Sequence, residues 1–394
     1  MTTRKGTAMT RYGLDAQLRI YGGGAPPELP IAVEEWEARA RAALPPEPFD
    51  YVAGGAGGES TMRANREAFD RWRIRPRLLR PVEDRDLGVT VLGTPSAAPF
   101  LLAPIGVLSA VRAEADVAVG RAAATTGIPF VVSSVSSRTL EEVAAAMGDA
   151  PRWFQLYPAR DRDVMASFLS RAEAAGYRAV VVTVDTTMLG WRERDLAHAY
   201  LPFLQAQGIA NYLSDPAFRA GLERPPEVDV PGAVRHFLDV FVNPSFAWED
   251  VDWLRGWTRL PLLLKGLTHP DDAVQAVAHG VDGVIVSNHG GRQVDGAVAA
   301  LDALPEVVDA LDGRVPVLFD SGVRRGADVL KALALGAAAV LVGRPYAYAL
   351  AVAGEEGVAT LIRQLTADID LTLALSGRRA VAEVDGALLT RARP

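Results

Sequence analysis

The sequence predicts an α/β fold: a (β/α)8 TIM barrel with an N-terminal helical lead-in and a long lid insert between strand 4 and helix 4. Three observations predict it. Eight short apolar runs recur from residue 99 onward, stretches of helical periodicity alternate with them, and glycine closes several of those stretches. Nearly continuous apolar runs mark parallel strands covered on both faces, whereas a half-exposed sheet would alternate. An open doubly wound sheet fits the same rhythm, and the motifs after strands 7 and 8 favour the barrel.

The runs are PFLLAPIG (99–106), PFVVSS (129–134), RWFQLY (152–157), AVVVTVD (179–185), LPLLLKG (260–266), GVIVSNHG (283–290), VPVLFDSG (315–322) and AVLVGRP (339–345). Helices are expected over 113–126, 161–176, 270–280 and 326–336, followed or closed by Gly127, Gly176, Gly280 and Gly336. Glycine takes the left-handed conformation that ends a helix most easily. Ahead of the barrel, residues 1–48 form a lead-in with a frayed start and a helix near 33–44, where Trp36, Ala40 and Leu44 repeat at i, i+4. Residues 1–98 are thus expected to be a helical segment packing on the barrel. Residues 99–394 are expected to be the barrel, with a C-terminal helical tail.

Residues 190–259 separate strands 4 and 5 by far more than one helix needs. A segment this long inside a compact domain is usually functional. Its many aromatic residues, Phe203, Tyr212, Phe237 and Phe241 among them, predict an ordered lid over the barrel mouth, with RPPEVDVPG (224–232) as its mobile part.

Composition excludes several classes of function. The 394 residues contain no cysteine, so disulfides, thiolate metal sites, iron–sulfur clusters and cysteine nucleophiles are ruled out. A net charge of −7 argues against a general nucleic-acid or anionic-membrane binder. The first residues show no signal-peptide pattern, and no apolar run is long enough to span a bilayer. The expectation is a soluble cytoplasmic enzyme.

Reactive side chains collect where the apolar runs stop. These are Gln155 and Tyr157 after strand 3, Thr183 and Asp185 after strand 4, and Lys265 after strand 5. Ser287, His289 and Arg292 follow strand 6, Asp320 and Arg324 strand 7, and Gly343 and Arg344 strand 8. Polar strand ends are ordinary one at a time; six on one barrel face indicate an active site. DSGVRRGADV (320–329) and LVGRP (341–345) place Gly and Arg at helix starts, which suits a phosphate. In SNHGGRQ (287–293), His289 suits proton abstraction and Arg292 suits a carboxylate. Arg192 is a second candidate carboxylate clamp. Asp185 reads either as support for a histidinium or as a helix cap. Lys265 reads as a core ion pair or as a charge facing a bound cofactor. No spacing suits a metal.

These strings resemble the FMN-dependent α-hydroxy-acid oxidases and dehydrogenases, over about residues 29–375. Within that family the chain is similar above all to the lactate 2-monooxygenases. The resemblance implies that His289 is the base and Asp185 the carboxylate stabilising its protonated form. It implies that Arg292 and Arg192 hold the substrate carboxylate, and that Tyr51 and Tyr157 bond the substrate. For the cofactor FMN, it implies that Lys265 lies near flavin N1 and O2. Ala103, Pro104 and Ile105 would pack on the isoalloxazine, and Ser133, Gln155, Thr183 and Ser287 would contact the ring or adjoin it. Asp320 would meet the ribityl chain, while Gly322, Arg324, Gly343 and Arg344 would cradle the phosphate. The implied reaction oxidises an L-2-hydroxy acid, with O2 as acceptor, in a homotetramer that needs neither nucleic acid nor membrane.

Gly106, where family oxidases commonly carry alanine, and the long lid favour the monooxygenase outcome, which converts lactate to acetate, CO2 and water. Turn geometry is the other reading of Gly106. Pro158, Met188 and Leu189 depart from the lactate pattern and point to a larger 2-hydroxy acid. The alternatives are an oxidase releasing H2O2, a dehydrogenase passing electrons to a carrier, a non-catalytic flavin-binding scaffold, and a barrel isomerase or aldolase.

Overall fold

The computed structural model describes residues 11–392; the expected frayed start lies outside the described residues. Eight parallel strands close a barrel: β1 Phe100–Leu102, β2 Phe130–Ser133, β3 Arg152–Leu156, β4 Val180–Thr183, β5 Leu262–Leu267, β6 Gly283–Val286, β7 Val317–Phe319 and β8 Ala339–Val342. Neighbours follow chain order, and closure comes from β8 against β1, with Leu341 opposite Leu101. Each apolar run is a strand, but the strands are shorter than the runs. The reactive residues of SNHGGRQ and DSGVRR therefore lie on the loops just beyond β6 and β7.

The helices around the barrel are α1 Ala115–Thr126, α2 Leu140–Met147, α3 Arg162–Ala174, α4 Trp248–Trp257, α5 Pro270–Ala278, α6 Ala300–Leu311, α7 Gly326–Ala334 and α8 Arg344–Leu375. The glycines after α1, α3, α5 and α7 all take positive φ, as a left-handed helix stop requires. Side chains alternate along each strand. Leu101, Val131, Trp153, Val181, Leu263, Ile285, Leu318 and Leu341, one from each strand, form the inner core. Their strand neighbours join the larger core beneath the helices. A hairpin, Val89–Val91 with Thr94–Ser96, adds Val91 to the inner core. It also accepts a 2.8 Å hydrogen bond from Trp153 Nε1 at Thr94 Oγ1, which plugs the barrel interior.

The lead-in brings its own residues to the barrel. Helix Val33–Ala43 buries Trp36 and Ala40, and both it and helix Tyr12–Gly22 pack on α8. Helix Pro46–Ala53 carries Tyr51. Helix Ser60–Asp70 presents Asn65, which exchanges two 2.8 Å amide hydrogen bonds with Asn288.

The segment between β4 and β5 requires a correction. Residues 190–259 do not form one insert, because their last part is α4 itself, whose Val251 and Leu254 are buried at helical spacing. The insert ends before Trp248. It consists of the short helices Glu193–Ala197, Ala210–Ser214 and Pro216–Ala220, a turn at Pro202–Gln205, and helix Val230–Phe241. The Pro-rich piece enters that last helix, where the Asp229 carboxylate accepts from Gly232 N at 3.0 Å and Pro231 occupies the first turn. Phe203, Phe237, Phe241, Tyr212 and Phe218 form one chain of ring contacts 4.8–5.5 Å apart, and Tyr157 joins it through Phe241 at 5.3 Å. The insert is thus anchored to the end of β3. Among the described residues, no helix is long and apolar enough to cross a membrane.

Candidate active site

A cleft of about 1020 Å³, mouth included, opens at the C-terminal ends of the strands, within the range of cofactor and small-molecule sites. Tyr51, Ala103, Pro104, Ile105, Gly106, Tyr157, Arg192, Lys265, His289, Arg292, Asp320, Gly322, Arg324, Gly343 and Arg344 all line it. Of the sequence candidates, only Asp185, Ser133, Gln155, Thr183 and Ser287 do not. Asp185 and Ser287 directly bond side chains that do.

The centre of the cleft is an imidazole held in one orientation. His289 has φ +58, which turns its side chain back toward β4, and its backbone N donates to Ser287 Oγ at 3.0 Å. Its Nδ1 lies 2.8 Å from Asp185 Oδ1 and 3.1 Å from Thr186 Oγ1. An ionised carboxylate only accepts, so Nδ1 carries the proton and Nε2 keeps the basic lone pair. Burial raises the Asp185 carboxyl, but His289 and Lys265 outweigh it and hold the group at about 2. Burial pushes His289 below its ordinary value, and Lys265 and Arg192 add to that against the pull of Asp185. A neutral imidazole beside an ionised carboxylate results, which is the resting state a general base requires.

Gly266 explains how Asp185 reaches this position. It has φ +114, and a Cβ there would lie 2.6 Å from Asp185 Cβ. The β5 ladder shifts register at the same point. Lys265, just before it, is buried. Its Nζ donates to Ser287 Oγ at 2.8 Å and pairs with Asp320 Oδ2 at 3.1 Å. Burial lowers its pKa, but Asp320 and Asp185 more than restore it, so the ammonium persists. Lys265 is ion-paired in the core and also lines the cleft. Asp185 bonds an imidazole and caps no helix.

Two guanidiniums face the cleft, one of them with only a loose carboxylate contact. Arg292 Nη1 donates to Gly54 O at 2.8 Å, and its guanidinium lies 5.4 Å from the Tyr51 ring centre. Burial, with the neighbouring cations Arg192 and Arg344, pushes its pKa down against the pull of Tyr51 and Asp195. Arg192 donates through Nη2 to Gln293 Oε1 at 3.2 Å, and its nearest carboxylate, Asp195, is 3.8 Å away. Beneath the cleft, Gln155 bridges two strands. Its Oε1 accepts from Ser133 Oγ at 2.9 Å, and its Nε2 donates to Thr183 Oγ1 at 3.0 Å.

The donor set at the other end of the cleft fits a phosphate. Gly322 has φ +102, and a Cβ there would sit 3.0 Å from Asn65 O. Arg324 is half-buried, and its Nη1 donates to the carbonyl of Val323 at 2.9 Å. The N-terminus of α8 begins at Arg344, beside the open Gly343, and brings a partial positive charge. Arg344 departs from the simple expectation. It donates to Val52 O, Gly290 O and Gly54 O at 2.8–3.1 Å, so it also ties the lead-in to the loop after β6. With the Lys265 ammonium and the Ser133–Gln155–Thr183 ladder toward the barrel centre, this donor set fits FMN.

Several residues of the site were not legible in sequence. Thr186 donates to Asp185 Oδ1 at 2.8 Å, and Asn65, Val135 and Gln293 also shape the cleft. Gln293 lay inside the distinctive string, but a neutral amide beyond a strand end carries no chemical signal of its own. Among the described residues, no group of three or more potential ligands could hold a metal.

Comparison with known proteins places the chain in a family. The profile of the FMN-dependent dehydrogenase family matches residues 40–391. The L-lactate oxidase of Lysinibacillus sphaericus (strain C3-41) is 42% identical over 367 residues, covering 93% of this chain and 94% of that protein. The FMN-dependent alpha-hydroxy acid dehydrogenase qulF of Penicillium citrinum is 43% identical over 350 residues, covering 88% and 87%. The crystal structure of mandelate oxidase with (S)-4-hydroxymandelic acid superposes with a TM-score of 0.82 at 39% identity, covering 92% of this chain and 98% of that one. The chain belongs to the FMN-dependent dehydrogenase family, and is an FMN-dependent oxidoreductase of the 2-hydroxy-acid oxidase and dehydrogenase type.

Proposed function

We propose that this enzyme oxidises a 2-hydroxy acid with an apolar side chain to the 2-keto acid, and that O2 then takes the two electrons and is released as H2O2. The observation that carries this reading is the convergence of a neutral, carboxylate-oriented imidazole with two guanidiniums in one cleft, of which Arg292 has no carboxylate partner among the described residues and Arg192 only a loose one. Arg292 and Arg192 bind the substrate carboxylate, with Tyr51 and Tyr157 beside it. His289 Nε2 takes the proton from the substrate, and Asp185 stabilises the imidazolium that forms. Lys265 supplies a fixed positive charge deep in the cleft. Arg324 and the α8 N-terminus hold the cofactor's phosphate. When bound, FMN supplies the two-electron acceptor.

Thr186 and Ser321 also line the cleft, and an apolar part of its wall consists of Gly106, Val135, Leu189, Phe203 and Phe241. None of these has a polar side-chain group, which supports an aliphatic or aromatic substituent on the substrate. The peroxide outcome draws support from relatives named oxidases, in bacteria and beyond. The decarboxylating outcome loses its main residue-level support, because packing accounts for Gly106. A Cβ there would lie 2.5 Å from Val135 Cγ2.

Anaerobic mixing with a panel of 2-hydroxy acids, followed by the bleaching of the flavin band, tests the oxidation. Failure of every member to reduce the flavin would refute it. Product analysis under air then separates the outcomes. One H2O2 per keto acid supports the oxidase, whereas a carboxylic acid shortened by one carbon, with CO2 and no peroxide, supports the monooxygenase.

A further inference from the structure

One side chain makes four hydrogen bonds to the loop after β4. Gln293 Nε2 donates to Asp185 O and to Met188 O, both at 2.8 Å. Its Oε1 accepts from Gly190 N at 3.3 Å and from Arg192 Nη2 at 3.2 Å. The amide's orientation is chemically fixed, since both partners of the nitrogen are carbonyls and both partners of the oxygen are N–H groups. All four partners lie within residues 185–192, which carry both the carboxylate behind His289 and the guanidinium of Arg192. The backbones also meet closely. A Cβ on Gly190 would lie 2.5 Å from Arg292 O and 2.7 Å from Gln293 O, and Arg192 Nε donates to Arg292 O at 3.3 Å.

We propose that Gln293 is a positioning residue that latches the loop after β4 to the loop after β6 and thereby sets Arg192 for the substrate carboxylate. The proposal rests on the reading of Arg192 as a carboxylate clamp. Three features support an action through Arg192. Gln293 does not line the cleft. Its oxygen holds the guanidinium at Nη2 while Nε donates to Arg292 O, which leaves Nη1 without a hydrogen bond and free to turn to a ligand. Asp195 makes only a loose 3.8 Å ion pair at Nη1, and the latch at Nη2 is a neutral amide that holds Arg192 without pairing its charge. A carboxylate in place of the amide would do the reverse, pairing with Arg192 and losing both donors to the loop.

The test compares holoenzyme, Gln293→Met, Arg192→Met and the double variant in anaerobic flavin reduction by the best 2-hydroxy acid of the panel. Binding of the uncharged amide of that acid is measured alongside. Gln293→Met is expected to raise the KM for the acid about tenfold, the order of one lost hydrogen bond to a charged group. The limiting reduction rate should stay within about threefold and binding of the amide should be unchanged. In the Arg192→Met background the same substitution should cost little more. Gln293→Glu, which has the same shape, should show the same split and supplies the comparison if Gln293→Met loses FMN. Additive losses in the double variant, or equal losses for acid and amide, would overturn the latch while leaving the proposed reaction standing. An unsubstituted enzyme that no 2-hydroxy acid reduces would overturn both.

Discussion

Asp185 Oδ1 lies 2.8 Å from His289 Nδ1, and Asp185 Oδ2 is buried without any hydrogen-bond partner. The carboxylate thus takes both its contacts, the ring nitrogen and the Thr186 hydroxyl, on Oδ1 and retains charge on Oδ2 to stabilise an imidazolium. Because burial and nearby cations hold His289 below its ordinary value, the base form should persist as pH falls through 6.5. The acid limb of kcat/KM should therefore lie below pH 6.5. Asp185→Asn removes an interaction that raises the His289 pKa, so the limb should move further down. The rate should fall by about 10²–10⁴, the range for disabling general base catalysis. His289→Gln should keep FMN and abolish its reduction. pH profiles of anaerobic reduction check all three, and a His289-dependent limb above pH 7 would contradict the electrostatic account.

Arg292 should tolerate no replacement by lysine. Its Nη1 is already committed to Gly54 O, and the rest of the fork faces the cleft, a geometry an ammonium cannot reproduce. Arg292→Lys is expected to weaken binding of a 2-keto acid about ten- to a hundredfold, the order of one or two charge-assisted hydrogen bonds. Titration of the flavin spectrum with the keto acid measures this. Unchanged affinity would remove Arg292 from the carboxylate site.

Much of this site was legible because parallel-barrel physics places reactive groups at one end of the strands. His289, Lys265 and Asp320 stand out from apolar runs, so chain position alone gathers them on one face. Distances were not legible. The contact of Asp185 with His289 depends on a bulge at Gly266, and that of Asn65 with Asn288 joins residues 223 positions apart. Neither leaves a periodic pattern. The α4 boundary was missed because Trp248–Trp257 follows directly on aromatic lid segments, and composition does not change where the insert gives way to the barrel. Gly106 was read through chemistry when its constraint is steric and comes from Val135, a residue on another loop.

That steric constraint alters what Gly106→Ala should do. An added methyl would lie 2.5 Å from Val135 Cγ2 and 3.0 Å from Val135 O, so the loops after β1 and β2 must separate. Overpacking of this kind costs about 1–3 kcal/mol. The variant is expected to lose stability and flavin affinity, and pairing it with Val135→Ala should restore part of both. Thermal denaturation of the two holoenzymes checks this. A Gly106→Ala enzyme of unchanged stability would show that the loops yield freely and return the residue to the question of product outcome.

Asp116 gives the stability of the fold its own pH dependence. The residue is buried in the first turn of α1, with Oδ2 accepting from Ser137 N at 2.8 Å and Oδ1 without a partner. Burial pushes its carboxyl up to about 7, against 3.8 ordinarily. The folded state therefore binds a proton that the unfolded chain releases at lower pH. The stability from this group is complete below about pH 4 and is lost as pH rises through 7, by up to about 4 kcal/mol. Asp116→Asn retains an oxygen for Ser137 N and cannot ionise. It should flatten the dependence of denaturation midpoint on pH between 4 and 8 and be the more stable protein at pH 8. Denaturant titrations of the two proteins across that range decide the matter, and parallel curves would mean that Asp116 is relieved of its charge by some other route. Ser137 also accepts from Ser109 N at 3.0 Å through its hydroxyl. Loss of the Asp116 proton would thus act on the same pair of loops, after β1 and β2, that wall the cleft at Gly106 and Val135.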